Sequence, residues 1–312
     1  MSMIKTKALI EQHIHGAYGV DFLNCSVDDL LDCAKRLKEY GVCAFLPTLA
    51  TAPIEVLKKQ VLFIKSAMEM QNRESYGAKI LGVNLEACFI SPQKNGIHDN
   101  SQLLDLNVDN FKLIEDEIIK LVTIAPELDK NNTFSLYLKT KGIKVFAGHT
   151  EAYNLDSVDG VTHLFNAMSG IHHREKNTVT SALISDNLYC ELIADGFHVD
   201  YDNVKLALKC KPKDKIILIS DALPIAGSPL QTMEFCSKQI YLKDGRAVDA
   251  KGVLAGSSLL LSDIVKKLVQ NNVVSLQDAC LMSSNSENLF GVEFQEFIVW
   301  DENLNIVDYI EK

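Results

Sequence analysis

No stretch of the 312-residue chain approaches the ~18 consecutive apolar residues that a membrane span needs. Residues 1–7 carry no hydrophobic signal core, so the expected setting is cytoplasmic, with no membrane partner. Basic residues are also in deficit. Thirty-one Lys and Arg stand against 41 Asp and Glu, for a net charge of −10. A nucleic-acid binder needs a basic face, and this chain lacks the means to build a broad one. An anionic small substrate would have to be met by a local positive pocket instead. The eight cysteines, at 25, 33, 43, 88, 190, 210, 236 and 280, contain no CxxC pair. They read as reduced, mostly buried thiols. No GxSxG elbow supports a serine hydrolase, and no glycine-rich phosphate loop follows the first apolar run.

What remains is ample material for a core. Hydrophobic residues make up 47% and charged residues 23%, as in a globular protein. Eight short apolar runs, at 8–13, 43–49, 80–86, 119–125, 143–149, 161–166, 189–194 and 216–221, alternate with helical segments. This rhythm implies a parallel sheet. Ser26 caps a helix that Gly41 ends, and Pro53 opens another. Eight βα units in about 220 residues predict an α/β fold, a (β/α)₈ TIM barrel. An open doubly wound sheet is the alternative, weakened by the missing phosphate loop.

After Asp221 the rhythm changes. Residues 231–250 read as a hairpin about Asp244-Gly245, and helices follow at 259–269 and 276–282. The tail reads as two more strands. The expected division is a barrel core over 1–230, an accessory hairpin over 231–253, packing helices over 254–291 and accessory strands over 292–312.

The histidines sort themselves along this plan. There are eight, at 13, 15, 98, 149, 163, 172, 173 and 198, and most stand at a strand end or in the loop behind it. His13 and His15 share one face by strand alternation. His149 ends the fifth run, His163 lies in the sixth, Asp221 ends the eighth, and Glu86 ends the third. Singly, each has a structural explanation as a hydrogen-bonded or capping residue. Together they would ring the catalytic mouth of a barrel. Imidazoles and carboxylates converging there suit a divalent metal, most naturally zinc. Such an ion lowers the pKa of bound water and polarises a carbonyl, and Asp221 can carry the proton. That is the chemistry of amide hydrolysis.

The segments LEACFISPQKNGIH, GHTEA, THLFNAMSGIHHRE, ELIADGFHVD, SDALPIAG and GVLAGSS, in that order, carry a closer likeness. Over about residues 12–291 the chain resembles the N-acetylglucosamine-6-phosphate deacetylase family of the amidohydrolase superfamily. The resemblance implies a metal-dependent barrel that removes acetate from an amino-sugar phosphate. It implies Glu86, His149 and His163 as main metal ligands, and His13 and His15 as holders of a second ion. Asp221 would be general base and acid, and His98 would polarise the acetyl carbonyl. Asn166, Ala167, Arg174 and His198 would touch the sugar or its phosphate, and Leu254, Ala255 and Gly256 would line the sugar. A related amidohydrolase with another N-acyl or cyclic amide substrate, or a non-catalytic barrel subunit, are the alternatives.

Three departures from the family pattern stand out. Only twelve residues precede His13, so the accessory sheet is expected to be reduced, built from 231–250 and the tail. Its unpaired strand edges predict a homo-oligomer. Ala87-Cys88 replaces the usual Gly-Pro after the metal glutamate. The pair His172-His173 has no role that the chemistry requires and reads as loop structure.

Overall fold

The computed structural model describes residues 3–74 and 76–311. Its first strand, β1 (Ile4–Lys7), lies outside the barrel. The barrel strands are β2 (Leu9–Ile14), β3 (Val42–Ala50), β4 (Val83–Glu86), β5 (Ile119–Ile124), β6 (Lys144–Ala147), β7 (Gly160–Val161), β8 (Tyr189–Leu192) and β9 (Ile216–Leu218). Each pairs in parallel with the next. The seam between β2 and β9 closes just past the strand ends. There the Asp221 amide donates to His13 O at 2.9 Å, and the His15 amide to Ala222 O at 2.9 Å. All eight expected strands are present, and the barrel is nearly closed. Parallel strands covered on both faces must be apolar nearly throughout, and all nine residues of β3 are buried.

Helices pack around this cylinder for local reasons visible in the chain. In α1 (Val27–Glu39), Ser26 Oγ accepts the Asp29 amide while the Asp29 carboxylate accepts the Ser26 amide. Such a reciprocal cap is worth roughly 0.5–2 kcal/mol. Gly41 ends the helix with φ of +87°, a left-handed turn that costs glycine nothing. In α2 (Ile54–Arg73), which follows Pro53, the buried residues Leu57, Val61, Ile64 and Ala67 recur at helical spacing. Shorter helices, α3 (Val108–Lys112), α4 (Thr133–Thr140), α5 (Thr178–Ile184) and α6 (Tyr201–Cys210), serve the later strands.

The segment after the barrel forms a four-stranded antiparallel sheet: β10 (Thr232–Phe235), β11 (Lys238–Lys243), β12 (Arg246–Asp249) and β13 (Leu254–Gly256). The hairpin about Asp244-Gly245 is there, with both residues at positive φ. Phe235, Ile240, Ala247 and Ala255 form a small core with Ala50, Ile97, Leu223 and Ile225. Ala50 is the last residue of β3 and Ile97 lies in the loop beyond β4, so this sheet roofs the barrel mouth.

Helices α7 (Leu261–Gln270), α8 (Leu276–Met282) and α9 (Ser286–Phe290) lead to β14 (Glu296–Trp300) and β15 (Ile306–Glu311). Here the structure corrects the sequence reading. The tail strands do have an N-terminal partner, because β1 pairs antiparallel with β14, giving the order β1-β14-β15. Residues 4–7 therefore belong to an accessory sheet, and that sheet is separate from β10–β13. The Trp300 indole, almost wholly buried, donates to Thr6 Oγ1 at 2.9 Å, and Lys7 pairs with Glu287. The strand escaped notice because IKTK is too short to show a pattern and its partner lies at the far end of the chain.

Candidate metal centre and active site

Where the barrel strands end, the backbone turns sharply outward. His149, His163 and Asp221 have φ of 49°, 33° and 52°. Left-handed backbone at non-glycine residues costs on the order of 1–3 kcal/mol each and gathers at functional sites. The turns aim all three side chains at one point, opposite Glu86 at the end of β4.

Glu86 is shared by two groups of ligand atoms. Its Oε1 lies 2.7 Å from His163 Nε2 and 3.2 Å from His149 Nε2, and those two nitrogens are 3.1 Å apart. Its Oε2 lies 3.3 Å from His13 Nε2 and 3.1 Å from His15 Nε2. Asp221 Oδ1 completes the second group, 3.4 Å from His13 Nε2 and 3.2 Å from His15 Nε2. All five side chains that share these contacts with Glu86 are buried.

The outer hydrogen bonds decide where the protons sit. His149 Nδ1 donates to the Lys94 carbonyl at 2.8 Å, and His15 Nδ1 to the Thr48 carbonyl at 3.3 Å. His13 Nδ1 faces a carboxylate oxygen, Glu191 Oε2, at 3.1 Å. In the neutral imidazoles the Nδ1 proton leaves a lone pair on Nε2. Those lone pairs converge on carboxylate oxygens, which also carry only lone pairs. Such a donor set needs a cation between its members. The separations suit one: ligand atoms around a tetrahedral ion with bonds of ~2.0–2.1 Å are roughly 3.3 Å apart. Without an ion, protons must take its place. Burial opposes charge on His13, but Glu86, Glu191 and Asp221 outweigh it and raise its pKa well above the ordinary imidazole value. Burial would likewise raise Asp221, yet His13 and His15 hold it below the usual carboxylate range.

His98 differs from the other site histidines. Its Nδ1 accepts the Thr51 amide at 3.4 Å and lies 2.8 Å from Thr51 Oγ1. A backbone donor at Nδ1 leaves the proton on Nε2, which faces the site 3.7 Å from Glu86 Oε2. Burial pushes its pKa down to about 4, so this imidazole is a neutral N–H donor. Gly96, with φ of +56°, lets the loop fold against the His149 ring, where a Cβ would lie only 3.2 Å from Cε1.

These groups floor a pocket of 340 Å³. Asn166, Ala167, His198, Leu254, Ala255 and Gly256 all line it. The His198 ring is tethered by Nδ1 to the buried Asp195 carboxylate at 2.8 Å. Arg174 is not among the lining residues. It stands exposed in a separate open cleft with His172, His173, Tyr153, Ile171 and Ile184. Cys88 is buried in the main apolar core and belongs to neither ligand group, so Ala87-Cys88 leaves His98 in the site.

Two residues escaped the sequence reading. Lys94 lines the pocket, its ammonium 3.3 Å from Glu151. It is the one lysine or arginine among the described lining residues, and its place four residues before His98 was the available signal. Glu191 lies beneath His13, and a lone charge in the apolar run YCELIA could have flagged it.

An eight-stranded parallel barrel with Glu, His and Asp converging past its strand ends defines an amidohydrolase-type enzyme, with groups that can hold a divalent metal. No family model matches the chain. It is 32% identical over 295 residues to the N-acetylglucosamine-6-phosphate deacetylase of Bacillus subtilis strain 168, covering 91% of this chain and 74% of that protein. It is 31% identical over 297 residues to the N-acetylgalactosamine-6-phosphate deacetylase of Escherichia coli O157:H7, covering 92% and 78%. The crystal structure of N-acetylglucosamine-6-phosphate deacetylase from Thermotoga maritima superposes with a TM-score of 0.89 at 28% identity, covering 98% of this chain and 87% of that one. The chain belongs to the N-acetylglucosamine-6-phosphate deacetylase family.

Proposed function

We infer that the chain hydrolyses the N-acetyl group of N-acetylglucosamine 6-phosphate, giving acetate and glucosamine 6-phosphate. The observation that carries this reading is the meeting of Asp221, His98 and the Glu86 ligand groups in one pocket. Glu86, His149 and His163 would hold one divalent ion, and His13 and His15, with Glu86, a second. Zinc suits this nitrogen and oxygen set, and one or two ions per chain is the proposal. When bound, the metal supplies Lewis-acid polarisation and a lowered water pKa.

The rest is done by this chain's own side chains. Asp221 takes the proton of the attacking water and returns it to the leaving amine. His98, with Nε2–H toward the site, donates to the acetyl oxygen as negative charge develops there. Asn166 and Ala167 on one side, and Leu254, Ala255 and Gly256 on the other, hold the sugar. Lys94 and His198 supply positive and donor groups for the phosphate.

Arg174 has a role in this proposal that a single chain does not offer. It sits outside its own pocket, beside the exposed apolar side chains Ile171, Ile184 and Tyr153. We propose a homo-oligomer in which a second copy covers these side chains and receives Arg174 at its phosphate. The setting is cytoplasmic and reducing, a reading supported by eight unpaired thiols. No helix among the described residues is long and apolar enough to cross a membrane.

The galacto epimer is the second reading, favoured by the near-equal likeness to the E. coli relative. Acetate release should be followed with both N-acetylated sugar phosphates and with the unphosphorylated sugars. Fast release from the gluco phosphate alone is the expected result. Equal rates with and without phosphate would remove the phosphosugar assignment.

A further inference from the structure

The two halves of the metal centre rest on different outer groups. On one side, His149 is held by a backbone carbonyl, and His163 Nδ1 is buried with no partner among the described residues. On the other side, His15 is also held by a backbone carbonyl, but His13 is held by a carboxylate, Glu191, which is wholly buried. Glu191 is not free to turn away. Its Oε1 accepts the Gln12 amide at 2.6 Å, and Gln12 Oε1 in turn accepts the Ser286 hydroxyl at 2.9 Å. Its Oε2 also accepts the His163 backbone amide at 3.3 Å, which ties the floor of one half to the other. No lysine or arginine pairs with this carboxylate among the described residues. A buried negative charge without a cation is costly, and a metal at the far nitrogen of His13 would offset it.

We infer that Glu191 is the positioning residue that makes the His13/His15 side a holding site for a divalent ion. It keeps the proton on His13 Nδ1, turns the Nε2 lone pair toward Glu86 and Asp221, and adds negative charge behind the ring. The inference rests on the metal reading of the centre but not on any substrate.

The experiment counts and ranks bound ions in the purified, metal-loaded full chain. Cobalt(II) serves as the probe, read by competition against a chromophoric chelator and by its visible absorption. Wild type should bind two ions per chain. Glu191→Gln should weaken one of them by about 10- to 100-fold, the usual effect of losing such an outer partner, and leave the other within about twofold. In a His13→Gln background, which already removes that half, Glu191→Gln should cost nothing more. A Glu191→Leu chain tests the same point without any amide in place, and if it does not fold, the near-isosteric Gln chain decides. Wild type binding a single ion, unchanged affinities in Glu191→Gln, or equal loss at both sites would each overturn the inference. Since no sugar is added, a failed deacetylase assignment would leave this result standing.

Discussion

At the floor of the pocket, Glu86, His149, His163 and Asp221 stand at the ends of barrel strands, while Lys94 at the rim and Arg174 in a separate cleft ride on loops. Floor residues are buried, and their separations are set by strand pairing and by the closing bonds between β2 and β9. Rim residues are placed by loop paths that no pairing rule dictates. In the proposed mechanism the reacting groups belong to the fold's skeleton, whereas charge recognition is hung on loops and would be shared between copies.

The largest test of that division is metal removal. Exhaustive chelation should abolish acetate release, and added divalent ion should restore it. Full activity in a chain shown to be metal-free would break the floor's assigned role. Next comes Asp221→Asn, which should lower kcat by at least ~100-fold, the scale of lost general acid–base catalysis, with KM little changed. The ion on the His149/His163 side should stay bound. Near-normal turnover would place the proton transfer on another group.

A rim substitution should behave differently. Lys94→Met removes the pocket's own ammonium, and a charge-assisted phosphate contact is worth roughly 1.5–3 kcal/mol. That corresponds to about a 10- to 100-fold fall in kcat/KM, expected mainly in KM because the phosphate is remote from the scissile amide. The unphosphorylated sugar should hardly notice the change. A fall in kcat on both substrates would instead mean that the Lys94 side chain holds its loop so that the residue-94 carbonyl meets His149.

The same contrast explains what could be read in the chain beforehand. The eight strands were legible because parallel barrel strands are apolar runs, and their terminal His, Glu and Asp followed from strand ends and alternation. Asp244-Gly245 announced its turn. β1 was not legible, since four alternating residues cannot advertise a partner in the tail. Glu191 was hidden inside an apolar strand. The position of Arg174 was out of reach for another reason: the HHRE motif identifies a residue type, while its distance from the pocket depends on the whole loop. The expected homo-oligomer also loses its original reason, because β1 covers one edge of β14. The exposed Ile171 and Ile184 now supply a better one.

The smallest expected effect is also the one that separates loop sharing from simple exposure. Arg174→Ala alone should raise KM for the phosphosugar by about tenfold, the lower end of a charge-assisted contact, and spare the unphosphorylated sugar. That result by itself does not say whose pocket Arg174 serves. Mixing does. An Asp221→Asn chain would lack the proposed base but keep Arg174, and an Arg174→Ala chain would have the reverse defect. If Arg174 crosses to a neighbour, a mixed oligomer contains pockets with an intact Asp221 from one copy and an intact Arg174 from the other. Unfolding and refolding the two together should then recover a fraction of activity with the wild-type KM, a fraction that neither chain shows alone. If Arg174 served its own pocket, no mixed pocket would hold both groups, and KM would stay at the Arg174→Ala value at every mixing ratio. A monomer in light scattering at micromolar concentration, with KM still raised in Arg174→Ala, would return Arg174 to its own chain and require the loop at 171–176 to fold over the rim.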